Sequence, residues 1–110
     1  MNHYNGFSPA QRLRALAWLK GEYAAGRRRP PSVCDGCGAT EGIKPHSEDY
    51  REPYGAHIGR YGVCHRCHMM IHQRFFRPAM WQAFRQQVGA GTFLEELTVL
   101  SSFERPKSLR

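Results

Sequence analysis

Cys34-Asp35-Gly36-Cys37 and Cys64-His65-Arg66-Cys67 frame the middle of the chain, and the second run continues into His68-Met69-Met70-Ile71-His72. The pattern is C-x2-C, a 26-residue spacer, then C-x2-C. Two intervening residues let both thiolates of a tight turn face one ion, and Gly36 and Gly38 supply the permissive backbone such a turn needs. Four thiolates at tetrahedral positions suit a structural zinc closed off from water, which makes Cys34, Cys37, Cys64 and Cys67 the candidate ligands. The competing readings are two disulfides or a redox pair. A redox pair would want one C-x-x-C beside a βαβ pattern, which this chain lacks.

Compartment bears on the same choice. No run approaches eighteen apolar residues, and Met1 to Gly6 has neither the basic start nor the apolar stretch of a secretory signal. A soluble, cytoplasmic protein is therefore expected, without a membrane partner. In a reducing compartment closely paired cysteines are metal ligands or redox groups more often than bridges.

Working outward, the 110 residues suffice for a modest core, which excludes a multi-domain enzyme. Sixteen basic against nine acidic residues leave a charge of +7, a surplus that suits a polyanionic partner such as nucleic acid. The surplus is concentrated: residues 1–33 carry six basic side chains against Glu22 alone, whereas 34–77 and 78–110 are each close to balance. Residues 1–33 read as an N-terminal helix and basic arm, 34–77 as the zinc-bound domain, and 78–110 as a helical extension with a frayed tail.

Ser8-Pro9-Ala10-Gln11 has the marks of a helix start: a capping serine, proline in the first turn, and glutamine three residues after the cap. The spacing predicts a helix from Pro9 to Ala25, stopped by Gly26. Its packing face would be Leu13, Leu16, Ala17, Lys20 and Tyr23, widened by Trp18 and Leu19. Arg27-Arg28-Arg29-Pro30-Pro31 then reads as an extended basic linker, either a solvated hinge or a phosphate-contacting arm. After the cysteines, Met80, Trp81, Phe84 and Val88 predict a second amphipathic helix ending at Gly89 or Gly91. Thr92 to Leu100 fits helix or strand.

The histidines add a second constellation. If Cys67 opens a helix, His68 and His72 stand at i and i+4 on one face and can share a cation. His46-Ser47-Glu48-Asp49-Tyr50 lies between the cysteine pairs and adds a third imidazole and two carboxylates. His3, His57 and His65 read as terminal, loop and surface residues.

This layout, C-x2-C, a hairpin with a histidine motif, then C-x2-C-H-x3-H, resembles the zinc-stapled HNH-type proteins with the ββα-metal fold. It is most similar to a small phage-associated branch in which a His-His-Glu-Asp-Tyr motif precedes proline; here His46-Ser47-Glu48-Asp49-Tyr50 is followed by Pro53. The likeness covers Val33 to about Phe76 and neither flanking helix. It implies an α+β fold, a zinc-stapled ββα-metal centre between an N-terminal helix and a C-terminal helical extension. It also implies structural zinc on the four cysteines and a second divalent cation, magnesium, manganese, nickel or zinc, at a catalytic centre best matched by His46, His68 and His72. In active members that cation stabilises charge on the scissile phosphate while a histidine activates water.

Two departures matter. Ser47 stands where the motif has its second histidine, and a hydroxyl cannot take up a proton near neutral pH. If His46 is itself the base, the preceding ligand position falls on Pro45, which has no donor atom. The asparagine that braces the loop before the third cysteine is also missing. Arg66, Arg74 and Arg77, with Arg27, Arg28 and Arg29, are the candidate nucleic-acid contacts, and the partner expected is DNA. The readings are therefore a metal-dependent DNA endonuclease or nickase, or a catalytically degenerate module that binds DNA or inhibits a protein. Trp18, Trp81, Phe75 and Phe76 on or beside the flanking helices offer a route to a protein partner or a homodimer.

Overall fold

The structure, a computed structural model, describes residues 2–88 and Leu97. Three helices and one two-stranded antiparallel sheet follow in the order α1 (Pro9–Ala24), β1 (Lys44–His46), β2 (Tyr61–Val63), α2 (His65–Gln73) and α3 (Pro78–Val88). The architecture is small α+β. The described residues divide into two compact units, one of 2–30 and 45–61, the other of 31–44 and 62–88 with Leu97. Among the described residues no helix is long and apolar enough to cross a membrane.

In the first unit α1 starts as its sequence requires. The Ser8 hydroxyl accepts the Gln11 amide and the Gln11 side chain accepts the Ser8 amide, a reciprocal capping box with Pro9 at the first position. The helix stops one residue earlier than expected, capped by Ala25, and Gly26 takes φ +74° just beyond. The buried face is rotated from the predicted one. Ala15 and Leu19 are buried while Leu13, Ala17 and Lys20 are exposed, because the facing core is aromatic and partly supplied by residues before the helix. Tyr4 and Phe7 form a β-bridge around Asn5-Gly6 and join Ala15, Leu19, Tyr50 and Ile58 in one cluster, with Trp18, Tyr23 and Tyr54 against it. Phe7 meets Tyr50 edge-on at 5.5 Å, and the Arg12 guanidinium lies over the rings of both Tyr4 and Tyr50. The start of the chain, from Tyr4 onward, is thus a packed part of the core.

The loop after β1 closes onto this cluster through Gly59, which has φ +62° and whose missing Cβ would stand 2.5 Å from Leu19 Cδ2. Alanine there would meet both the left-handed backbone penalty and an overpacked core. Gly59→Ala should therefore cost about 2–4 kcal/mol, read as a lowered denaturant midpoint at unchanged slope.

In the second unit the second cysteine run opens α2 two residues earlier than the sequence suggests. Cys64, in extended conformation, is the N-cap, and its sulfur accepts the Cys67 amide. A cysteine sulfur replaces the hydroxyl or carboxylate that usually announces a helix start, so the sequence by itself points to Cys67 rather than to this cap. α3 packs on α2 and buries Trp81 and Phe84, as its spacing predicts, but Met80 is exposed. Trp81 is consequently core and Phe75 and Trp18 are half-buried, so only Phe76 of the four aromatic candidates stands in solvent. Residues 89–96 and 98–110, with the end of α3 beyond Val88, most of Thr92 to Leu100 and the frayed tail expected above, lie outside the described residues; Leu97 is buried.

Candidate metal centre

The four sulfurs of Cys34, Cys37, Cys64 and Cys67 all lie within 4.8 Å of one another. Around a tetrahedral zinc with Zn–S of about 2.3 Å, neighbouring sulfurs stand about 3.8 Å apart. Those of Cys37 and Cys64 are 3.6 Å apart, and none of the four cysteines forms a disulfide. Four thiols at ligand spacing rather than bonding distance fit a structural zinc site.

The backbone builds this site in two halves. The first is a knuckle in which the Cys34 amide donates to Ala39 O at 2.8 Å and the Gly38 amide to Cys34 O at 2.9 Å. Gly36 is required by a close approach, since a Cβ there would lie 2.9 Å from the Cys67 sulfur. The second half is the first turn of α2. The Asp35 amide donates to Gly62 O and the Gly62 amide to Asp35 Oδ2, both at 2.8 Å, which ties the knuckle to β2. Asp35 thus braces the strand that leads into the third cysteine, a role the sequence pattern assigned to an absent asparagine.

The thiols are polarised unequally. Burial works to raise Cys34, but the amides of Cys64, Cys37 and Gly36 and the Cys67 thiol outweigh it and bring its pKa to about 7. Burial and then the neighbouring sulfurs push Cys67 well up. Ionisation is thus eased at Cys34 and opposed at Cys67, and a bound dication would favour the thiolate at both.

The histidines divide between the units. His68 and His72, one turn apart on α2, bring their Nε2 atoms to 2.9 Å. The rings meet edge-on at 4.6 Å and both residues are half-buried. His46, in the first unit, is 4% exposed, and its Nε2 lies 2.5 Å from Glu48 Oε2. The same carboxylate accepts the Tyr4 hydroxyl at 2.5 Å and the Asn5 side-chain amide at 3.0 Å, and Asn5 also holds the Glu48 carbonyl. Ser47 is buried and its hydroxyl accepts the Gly59 amide at 2.6 Å. Asp49 pairs with Arg51, and His57 bonds the Arg51 carbonyl. Tyr4, Asn5 and Glu48 escape sequence reasoning as a set because the partners are more than forty residues apart along the chain.

The arginines are also unequal. Arg27 pairs with Glu22, and Arg28 donates to Ile58 O at 2.7 Å and lies over Trp18, so these two fold back onto the first unit. Arg74 is 3% exposed, bonded to Ile71 O and stacked on Phe75, which removes it as a surface phosphate contact. Arg29, Arg66 and Arg77 are exposed, Arg66 bonding Gln87.

Compared with known proteins, the chain matches no family model, no curated protein and no solved structure. The class defined by fold and site is a small α+β protein with a four-cysteine cluster that fits structural zinc.

Proposed function

We propose that this is an HNH-like, zinc-stapled protein that binds nucleic acid and cleaves DNA as a metal-dependent endonuclease or nickase. The observation that carries the reading is the His68 and His72 pair, two imidazole nitrogens at 2.9 Å on a helix whose N-cap is a cysteine of the metal cluster. Two ring nitrogens at hydrogen-bond distance on one helix face support the reading that they share one cation. The HNH resemblance is what assigns His46 to the same role. A divalent cation held there would stabilise charge developing on a scissile phosphate.

The chain's own groups take the remaining roles. His46 Nε2 lies 2.5 Å from Glu48 Oε2, a contact that fixes the orientation of the ring. Tyr4 and Asn5 fix the carboxylate that fixes the ring. Charge supports an anionic partner: from Pro53 to Leu94 the sequence has no aspartate or glutamate, while it has Arg60, Arg66, Arg74, Arg77 and Arg85.

Ser47 favours a second reading. Its hydroxyl is buried and spent on Gly59, so position 47 serves the loop rather than proton transfer, as in a module that binds DNA or inhibits a protein without cleaving. Supercoiled and single-stranded DNA incubated with magnesium, manganese or nickel separates the two. The nuclease reading predicts cation-dependent nicking that falls to background in His68→Ala. Salt-sensitive retention of DNA without cleavage under every cation would leave the second reading in its DNA-binding form, and absence of DNA binding would refute the nuclease and leave only the protein-inhibiting form.

A further inference from the structure

Phe76 is the most exposed large apolar side chain among the described residues, at 81% of its accessible surface. It occupies the turn between α2 and α3, where the backbone is pinned: the Phe76 amide donates to Gln73 O at 3.0 Å and the Arg77 amide to the same carbonyl at 2.7 Å. The Trp81 amide in turn bonds Arg77 O, so the turn is anchored to a helix whose own aromatic residues are buried. A phenyl ring held in water on a fixed turn contributes nothing to the core. Arg77 beside it is exposed, as are Met69 on α2 and Met80 on α3. The charge of the second unit is predominantly basic, with Arg77 the exposed cation next to Phe76 in sequence and Arg74 buried. The described residues of the second unit have five basic side chains, Lys44, Arg66, Arg74, Arg77 and Arg85, against Asp35 and Glu41, and none of α2, α3 and their turn is acidic.

We infer that Phe76 is a stacking platform for an unpaired nucleic-acid base, with Arg77 holding the adjoining phosphate. The inference rests on the nucleic-acid reading above and deepens it, naming single-stranded or locally opened strands as the preferred form. Charge complementarity selects the occupant. A partner met through this face must be anionic and must also present flat apolar surface, a combination that a strand with unstacked bases offers at every nucleotide. A closed duplex offers the phosphates but keeps its base faces stacked, so it would use Arg77 and leave Phe76 idle.

The test compares a fluorescently labelled 12-nucleotide single strand with a duplex of the same length, binding wild type, Phe76→Ala and Phe76→Tyr, with the chain otherwise intact. Phe76→Ala should weaken single-strand binding by about tenfold or more, the loss of one base–aromatic stack. Duplex binding should stay within about twofold, and the salt dependence on the single strand should be unchanged because no charge is removed. Phe76→Tyr should restore binding, as tyrosine keeps a stacking face. Thermal melting should not move, since the ring is in solvent already. Equal affinity of wild type and Phe76→Ala for the single strand would overturn the stacking role while leaving nucleic-acid binding standing. Equal losses on strand and duplex would also overturn it, and binding to neither would remove it along with the reading beneath it.

Discussion

Chelation of the metal, or Cys67→Ser, should unfold the second unit, with loss of the α2 and α3 helical signal in circular dichroism. The expected effect is large because the opposing terms are small. Among the described residues, the apolar side chains that this unit buries are Val63, Ile71, Trp81, Phe84 and Leu97, together with Cys34, Cys64 and Cys67, and β2 is three residues long. Zinc bound by thiolates and imidazoles in small domains contributes about 10–16 kcal/mol near neutral pH. Whole domains are stable by about 5–15 kcal/mol, so a site of this kind outweighs everything else in the unit. Cys67 is the most informative position: it is fully buried, the Gly36 backbone passes beside its sulfur, and burial with three neighbouring sulfurs opposes its ionisation without a cation. Serine is nearly isosteric there but is a poor zinc ligand. A helical signal undiminished by both chelation and Cys67→Ser, rather than reduced to that of α1, would show that apolar packing alone holds the unit.

The second large effect is expected in the first unit, from Glu48→Ala. The side chain is 9% exposed and collects the Tyr4 hydroxyl, the Asn5 amide and His46 Nε2. Alanine would leave two donors on buried residues, the Tyr4 hydroxyl and His46 Nε2, and the half-buried Asn5 amide without this acceptor and loosen the N-terminal β-bridge, a loss of about 2–4 kcal/mol. Urea unfolding followed through tyrosine and tryptophan fluorescence measures it. Glu48→Gln should recover part of that loss, since the amide oxygen can accept one or two of the bonds but carries no charge. A Glu48→Ala midpoint equal to wild type would mean that the network contributes nothing net.

These two expectations draw on features of very different legibility. The cysteine pairs carry their reading in their spacing, because ligand geometry around a small ion depends on a few adjacent residues and the turn between them. The capping box at Ser8 and Gln11 is local in the same sense, and so is the i, i+4 placement of His68 and His72. The Glu48 network is not: Tyr4 and Asn5 meet it across more than forty residues, and nothing in the run Met1 to Gly6 distinguishes a packed β-bridge from a loose terminus. The face of α1 is hidden from the sequence for a related reason. Leu13 looks like core by composition, but the surface available to the helix is set by Tyr4, Phe7, Tyr50 and Ile58, which favour the Ala15 and Leu19 side. Arg74 shows the limit for charge. As sequence it is one more basic residue beside the cluster, whereas in the fold its guanidinium is buried against Ile71 O and Phe75.

Within the candidate site, Ser47 and Asp35 sharpen what the motif departures mean. Each supplies a loop brace, Ser47 to Gly59 and Asp35 to Gly62, so position 47, which looks like a lost base, has a structural role, and Asp35 braces the strand before the third cysteine without an asparagine. The arginine census moves in the same direction. Of the six candidate nucleic-acid contacts, Arg27 and Arg28 are bonded within the first unit and Arg74 is buried in the second, while Arg29, Arg66 and Arg77 are exposed, Arg77 directly after Phe76 in the turn.

The central claim is the four-cysteine site, on which fold, histidine helix and proposed chemistry all depend. Elemental analysis of freshly purified protein tests it most directly, in parallel with Cys34→Ser and Cys67→Ser. The account predicts about one tightly held zinc per chain in wild type and loss of that zinc in both variants. Metal-free wild-type protein that is nonetheless folded, or a zinc content unchanged by either substitution, would contradict it.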